Sequence, residues 1–462
     1  MSDTRIEGAG PGVPDLPRKI GLWGAVAVMV GVMVGSGIFQ TPTEIAKHLG
    51  DPWVILGMWA AGGVLSLLGA LTYAEMATMY PRSGGVYVFL REGYGRGVAF
   101  VFGWTYMLIS KPYAAAGIAV IGVRYFNGLI GVSWSVPLET TLVLIVLTGI
   151  NAWGVREGTR LAMVLTALKV GALAAIVVLA LALRKGSGAN FAGSPLEGNP
   201  GFLVAIVPVM AAVLWTYDGW SDVGAIAGEV ERPRWTLPRA YLVGTLGIMG
   251  LYLAVNAVYL WMLPLEEIRG AETVAPLVME RLLGAAAGTA VTVLVIVSTM
   301  GSSHSSVMTG ARVTFAQARD GLLFRFLGRV HPTRQTPAVA LWVQCGLSCL
   351  AVWTMGGSFA SLAEGFVFTM WIFYGLAGAA IFILRAKRPG VERPFRCPGY
   401  PVVPAVFVLS ALAMTVFSVT QDVSTWTPGA DVPTTIVWLG VLAAGFPVFL
   451  LWERLTARGT RV

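Results

Sequence analysis

The sequence predicts an all-α, multi-pass membrane protein: twelve spanning helices, built as two inverted five-helix units with two further helices appended. Three observations carry this. The chain is 56% hydrophobic and only 12% charged, where soluble domains average about 25% charged residues. Apolar stretches of the length that crosses the hydrocarbon core recur from end to end. Two of these stretches contain residues that interrupt a helix, Gly35-Ser36-Gly37 in the first and Tyr217-Asp218-Gly219 in the sixth.

Taken in order, residues 1–17 are polar and rich in Gly and Pro. They read as a disordered tail and lack the ordered parts of a signal peptide. The first two spans are expected at 20–46 and 53–79, followed by a loop with Arg82, Arg91 and Arg96. Spans three to five fall at 97–125, 138–154 and 160–183, with Arg156 and Arg160 between the last two. Spans six and seven, at 202–228 and 239–262, are joined by a segment carrying Arg232, Arg234 and Arg239. The remaining spans are 285–317, 338–355, 359–385, 402–421 and 433–452. The tail after the last span carries Arg458 and Arg461.

With the N-terminus inside, 24 of the 32 Lys and Arg residues fall at cytoplasmic ends and six at outer ends. The excess of basic residues on one side sets orientation, so both termini are expected in the cytoplasm of a cell-membrane protein. The same count places the two breaks in spans one and six, which run in opposite directions. Residues 18–185 and 200–388 then form an inverted repeat, residues 400–455 form helices eleven and twelve, and 456–462 form a second tail.

Other classes are disfavoured. The net charge of +8 is spread over segment ends, a topology pattern, and nucleic acid is not an expected partner. No H-E-x-x-H, G-x-S-x-G or P-loop motif is present, and three histidines leave little metal chemistry. No enzymatic activity, cofactor or metal is expected. Cys345, Cys349 and Cys397 read as reduced packing thiols.

A broken helix exposes N–H groups that favour anions and C=O groups that favour cations. Two facing breaks therefore suit a zwitterion such as an amino acid. The substrate carboxylate is assigned to N–H groups around Ser36, Gly37 and Ile38, beside Gly35. The ammonium is assigned to carbonyls near Val34 and Trp215, with Thr216, Asp218, Gly219 and Ser306 completing the site. Trp215 and Met370 are the expected gate. Asp218 is open to three roles: proton carrier, selector of cationic substrates, or local hydrogen-bond acceptor. Lys169 falls about 13 Å into span five. A charge at that depth is a functional residue by default.

Residues 35–42 (GSGIFQTP), 80–85 (YPRSGG), 111–112 (KP), 214–220 (LWTYDGW), 229–239 (EVERPRWTLPR) and 393–401 (RPFRCPGYP) resemble the amino acid–polyamine–organocation transporters, in particular bacterial relatives of the L-type amino acid transporters. The resemblance implies a LeuT-type fold with discontinuous helices one and six. It also implies sodium-independent amino acid transport, usually by exchange. It implies that Lys169 stands where sodium-coupled relatives hold a cation, bridging span one to hydroxyls of span eight such as Ser302 and Ser303. Relatives that pair with a glycoprotein carry a cysteine after span three. Residues 126–137 have none, so no disulfide-linked partner subunit is implied.

The expected function is thus alternating-access exchange of small or medium neutral amino acids. The alternatives are a proton-coupled symporter or a cationic amino acid or polyamine carrier of the same fold. A channel or transceptor is less favoured, because two broken helices suit occlusion better than a continuous pore.

Overall fold

The computed structural model describes residues 16–194, 202–271, 274–357, 359–426 and 433–457; the expected first tail lies almost wholly outside them, as does most of the second. The chain is all-α. The first break divides α1 (Leu22–Met33) from α2 (Gly37–His48). Next come α3 (Pro52–Met79), α4 (Val86–Tyr94), α5 (Arg96–Thr105) and α6 (Lys111–Ile130). A wider π-type turn over Tyr106–Ser110 joins α5 to α6, immediately before Lys111-Pro112. Such turns are rare and concentrate at functional sites. Helices α7 (Val136–Trp153) and α8 (Val155–Leu183) complete the first half of the chain.

The second half opens with α9 (Phe202–Tyr217), the second break and the short α10 (Asp222–Ala225). It continues with α11 (Pro233–Met262), α12 (Leu265–Gly270), α13 (Val274–Leu283) and α14 (Ala285–Arg319). The last four helices are α15 (Ala338–Thr354), α16 (Phe359–Lys387), α17 (Val402–Thr425) and α18 (Thr434–Ala457). Among the described residues, ten helical stretches are long and apolar enough to cross a membrane, and Pro208–Tyr217 and Ala338–Thr354 are shorter apolar helices. The protein is a multi-pass membrane protein.

Local chemistry explains the boundaries. Asp51 caps α3, its carboxylate accepting from Trp53 N at 2.7 Å, with Pro52 at the first helical position. Gly131, at φ +70°, closes α6. Sequence periodicity did not announce α4, α12 or α13, which are too short to span. In α13 the apolar Val274, Val278 and Leu282 face inward while Arg281 stays outside.

Two sets of helices pack among themselves. One comprises α1, α2, α3, α9 and α11; the other comprises α6, α7, α14 and α15. Helix α8 lies between them, touching α1 on one side and α14 on the other. Helix α16 packs on α17 and α6. A knot of buried aromatics ties the second break to α3, α16 and α17, with Trp220 4.8 Å from Tyr73, 5.3 Å from Tyr374 and 5.7 Å from Phe407 between ring centroids. Such edge and tilted contacts add about 0.5–1.5 kcal/mol per pair beyond area burial.

Candidate substrate site

The two breaks touch. A Cβ on Gly37 would lie 2.5 Å from Thr216 Oγ1 and 2.9 Å from Thr216 Cα. A Cβ on Gly219, at φ +112°, would lie 2.9 Å from Met33 N. Only glycine permits either approach. The Tyr252 hydroxyl of α11 sits 2.7 Å from the Met33 carbonyl and 3.3 Å from the Thr216 carbonyl, one at each break. Thr216 Oγ1 is 2.7 Å from Thr41 Oγ1 of α2. In the second break the last helical residue is Tyr217, so the unwound stretch begins at Asp218.

Lys169 of α8 reaches the end of α1. Its ammonium donates to the Gly31 carbonyl at 2.6 Å, the Val34 carbonyl at 2.8 Å and Ser302 Oγ at 2.7 Å. The Ser298 carbonyl lies at 3.4 Å. The side chain is 1% exposed. An unwound helix end presents carbonyls with no intrahelical donor, and a fully dehydrated ammonium needs acceptors. Each answers the other.

This geometry bears on two expectations. The Val34 carbonyl accepts from Lys169, from Ser302 Oγ at 2.8 Å and from Ser298 Oγ at 3.2 Å. With its lone pairs engaged it has none for a substrate ammonium. Ser303 does not meet Lys169: it donates to the Ala115 carbonyl of α6 at 2.9 Å, because one residue of helix turns it about 100° from Ser302. Ser298, four residues before Ser302 on the same face, holds that place instead. The Ile38 side chain is fully buried in the core, and its backbone N–H, the group assigned to the carboxylate, lies in the first turn of α2.

A small cavity of about 20 Å³ lies between the breaks and α6. Its walls include Gly35, Ser36, Gly37, Trp215, Asp218, Ser306 and Phe366, with Lys111, Ala114 and Ile118 from α6. That volume suits about one water. Ser36 Oγ and Ser306 Oγ are both buried there without a hydrogen-bond partner among the described residues. Among the described residues, the N–H groups of Ser36, Gly37 and Ile38 donate to no backbone carbonyl, as expected for the start of a helix. Buried polar groups are nearly always paired, so unpaired donors and hydroxyls gathered at this cavity make it the candidate site for a polar ligand. The ring of Trp215 meets that of Phe366 edge-on at 5.2 Å. Met370, the expected partner, lies one turn further along α16 and packs into the core.

The cavity floor is charged. Lys111 Nζ is 2.6 Å from Asp222 Oδ2, with the side chains 2% and 4% exposed. Asp218 Oδ1 accepts from the Tyr374 hydroxyl at 2.6 Å, and Ser221 Oγ donates to the same hydroxyl at 3.0 Å. His304 is buried against Asn151, whose amide donates to the His304 carbonyl at 3.0 Å and lies 3.2 Å from the ring Nδ1.

At the basic end, the chain before α1 and the chain before α11 are stitched together. Lys19 N and Ile20 N each donate to the Glu229 carbonyl at 2.9 Å, and Glu231 N donates to the Ile20 carbonyl at 2.8 Å. The Glu229 carboxylate in turn grips Arg312 of α14 through two bonds, at 2.9 and 3.2 Å, fully buried. Arg82 pairs with Glu92, and Arg239 lies exposed over the Trp235 ring.

Facing breaks with unpaired polar groups, embedded in a bundle of spanning helices, define a membrane transporter of a small polar solute. Comparison with known proteins makes the class specific: residues 20–452 match the amino acid permease family, and the chain belongs to that family, within the amino acid–polyamine–organocation superfamily. It is similar to the serine/threonine exchanger SteT of Bacillus subtilis (strain 168), 33% identical over 402 residues, 85% of this chain and 89% of that protein. It is similar to the human cystine/glutamate transporter, 31% identical over 446 residues, 95% of this chain and 86% of that one. It is also similar to mouse b(0,+)-type amino acid transporter 1, 30% identical over 403 residues, 86% and 82% of the two chains. The protein is a membrane-embedded secondary transporter of amino acids that resembles exchangers.

Proposed function

We propose that the protein exchanges small or medium neutral amino acids across the cell membrane, independently of sodium, by alternating access. The observation that carries this is the convergence of unpaired groups on one cavity. The N–H groups of Ser36, Gly37 and Ile38 and the hydroxyl of Ser36 would receive the substrate carboxylate. The ammonium would rest among the Ser306 hydroxyl, the Asp218 carboxylate and carbonyls near Trp215 and Thr216. A cavity of about 20 Å³ is too small for an amino acid, so Trp215 and Phe366 must part to admit one and close over it afterwards.

Sodium independence is supported by Lys169. Its ammonium covers the carbonyls of Gly31 and Val34 and the hydroxyl of Ser302, a carbonyl-and-hydroxyl set that suits a bound cation. A relative carrying the name serine/threonine exchanger supports exchange and small polar substrates. We take the architecture as twelve spans with both termini cytoplasmic. Residues 18–185 and 200–388 are then inverted repeats, and 400–455 are appended helices. The set α1, α2, α3, α9 and α11 rocks against α6, α7, α14 and α15, and Lys169 releases the end of α1 as it swings.

A second reading is proton-coupled symport, favoured by the Asp218–Tyr374 contact of 2.6 Å at the cavity wall. A proteoliposome panel of the 20 amino acids, with and without sodium and with an imposed pH step, separates the two. The exchange reading expects uptake that needs internal amino acid and ignores both ions. Uptake into empty vesicles driven by the pH step supports the second reading, and a strict sodium requirement overturns the first.

A further inference from the structure

Among the described residues, the cavity wall carries one cation, and it is already engaged. Lys111 begins α6 at the exit of the π-type turn, with Ala114 and Ile118 following it along the same wall. A buried ammonium facing a substrate cavity is an attractive partner for a carboxylate side chain. Asp222 forecloses that pairing. It opens the short helix just past the second break, and its Oδ2 lies 2.6 Å from Lys111 Nζ. Both side chains are buried, so the attraction between them is little screened. A second carboxylate brought to Lys111 would meet Asp222 at nearly the same distance, with Asp218 on the same wall.

We propose that Asp222 determines side-chain charge selectivity by masking Lys111, so that the cavity rejects anionic amino acids and removal of the Asp222 carboxylate turns Lys111 into a receptor for them. The inference rests on the reading of the cavity as the amino acid site. Asp222 is then a specificity-determining residue that acts through Lys111. The isosteric Asp222→Asn exchange keeps the shape and one acceptor oxygen while removing the charge.

The test compares acids with their amides, which match in shape and differ in charge: glutamate with glutamine, and aspartate with asparagine. Initial exchange rates are measured in proteoliposomes for the wild type, Asp222→Asn, Lys111→Gln and the double variant, each reported as an acid-to-amide ratio. The wild type is expected to carry an amide at least about tenfold faster than its acid. Asp222→Asn is expected to raise the ratio by about tenfold or more, and Lys111→Gln to lower it further. The double variant should fall back towards the wild-type ratio, because no free cation remains.

A wild type that carries acid and amide equally overturns the proposal, as does an Asp222→Asn ratio within about twofold of wild type. Should Asp222→Asn fail to fold, the Lys111→Gln ratio still decides: no change there overturns masking. If small neutral amino acids exchange but neither amide does, Lys111 is out of reach of the side chain and the proposal fails alone. If no amino acid exchanges at all, the underlying reading fails first.

Discussion

Lys169 shows how much one side chain can settle. Its ammonium holds the loose end of α1 against α14 through Gly31, Val34 and Ser302. Lys169→Met keeps the volume and removes the charge. A lost buried charge also removes its dehydration cost, so folding should tolerate the change better than transport does. The expected result is exchange reduced by about tenfold or more in proteoliposomes, with a melting temperature in detergent lowered by no more than a few degrees. Unchanged exchange would remove Lys169 from the coupling scheme. Cys397 offers a simpler residue-scale test. It lies between α16 and α17, and burial pushes its thiol up to about 11, with the Glu75 charge adding to the shift and a Thr72 hydrogen bond opposing it. The thiolate is the reactive form, so maleimide labelling at Cys397 should be slow at pH 7 and accelerate as pH approaches 11. Mass spectrometry of the labelled peptide checks this; rapid labelling at pH 7 contradicts it.

Among elements, the decisive pair is the two interrupted helices. Their contact needs a residue without a side chain at position 37, where a Cβ would come within 2.9 Å of the Thr216 backbone. Gly37→Ala should push the breaks apart and reduce exchange at least tenfold, whereas Gly57→Ala, where a Cβ meets nothing within 4 Å, should be silent. Exchange rates of the two variants at equal reconstitution check the contrast. These interruptions were legible in the sequence because Gly-Ser-Gly and Asp-Gly stand out against apolar helix formers. Lys169 was legible for the same reason, as a charge at membrane depth. What stayed hidden was which face each residue takes. Ser302 and Ser303 are adjacent letters that turn to different helices. Ser298 carries a legible signal, its four-residue spacing from Ser302, which puts both on one helix face. Asp222 gave none, since its partner Lys111 is 111 residues away in the chain and nothing local announces the pairing. The ring that meets Trp215 is Phe366, one helical turn from the expected Met370, and an apolar stripe does not reveal which of its side chains faces a cavity.

At the scale of the molecule, two helix sets meet along α1, α8 and α14, and the proposed cycle moves one set against the other. The basic end is fastened by two different devices. Backbone bonds tie Ile20 to the strand-like segment at Val230, and the buried Glu229–Arg312 pair ties that segment to α14. If α1 must leave this contact during each cycle, a covalent clamp there should stop turnover. With the native cysteines replaced by serine, Ile20→Cys combined with Val230→Cys is expected to abolish exchange on oxidation and recover it on reduction. Full exchange with the disulfide formed would mean that the cycle runs without parting these segments.

The lysine lodged in the gap of the first helix has a consequence for physiology. On the exchange reading proposed above, a carrier whose counter-charge is stitched into its own chain borrows no sodium from the surroundings. It would level the mixture of nutrients on either side, trading one for another as their relative abundances dictate. A cell that relied on it to stockpile would need a second, energised pump to set those abundances first.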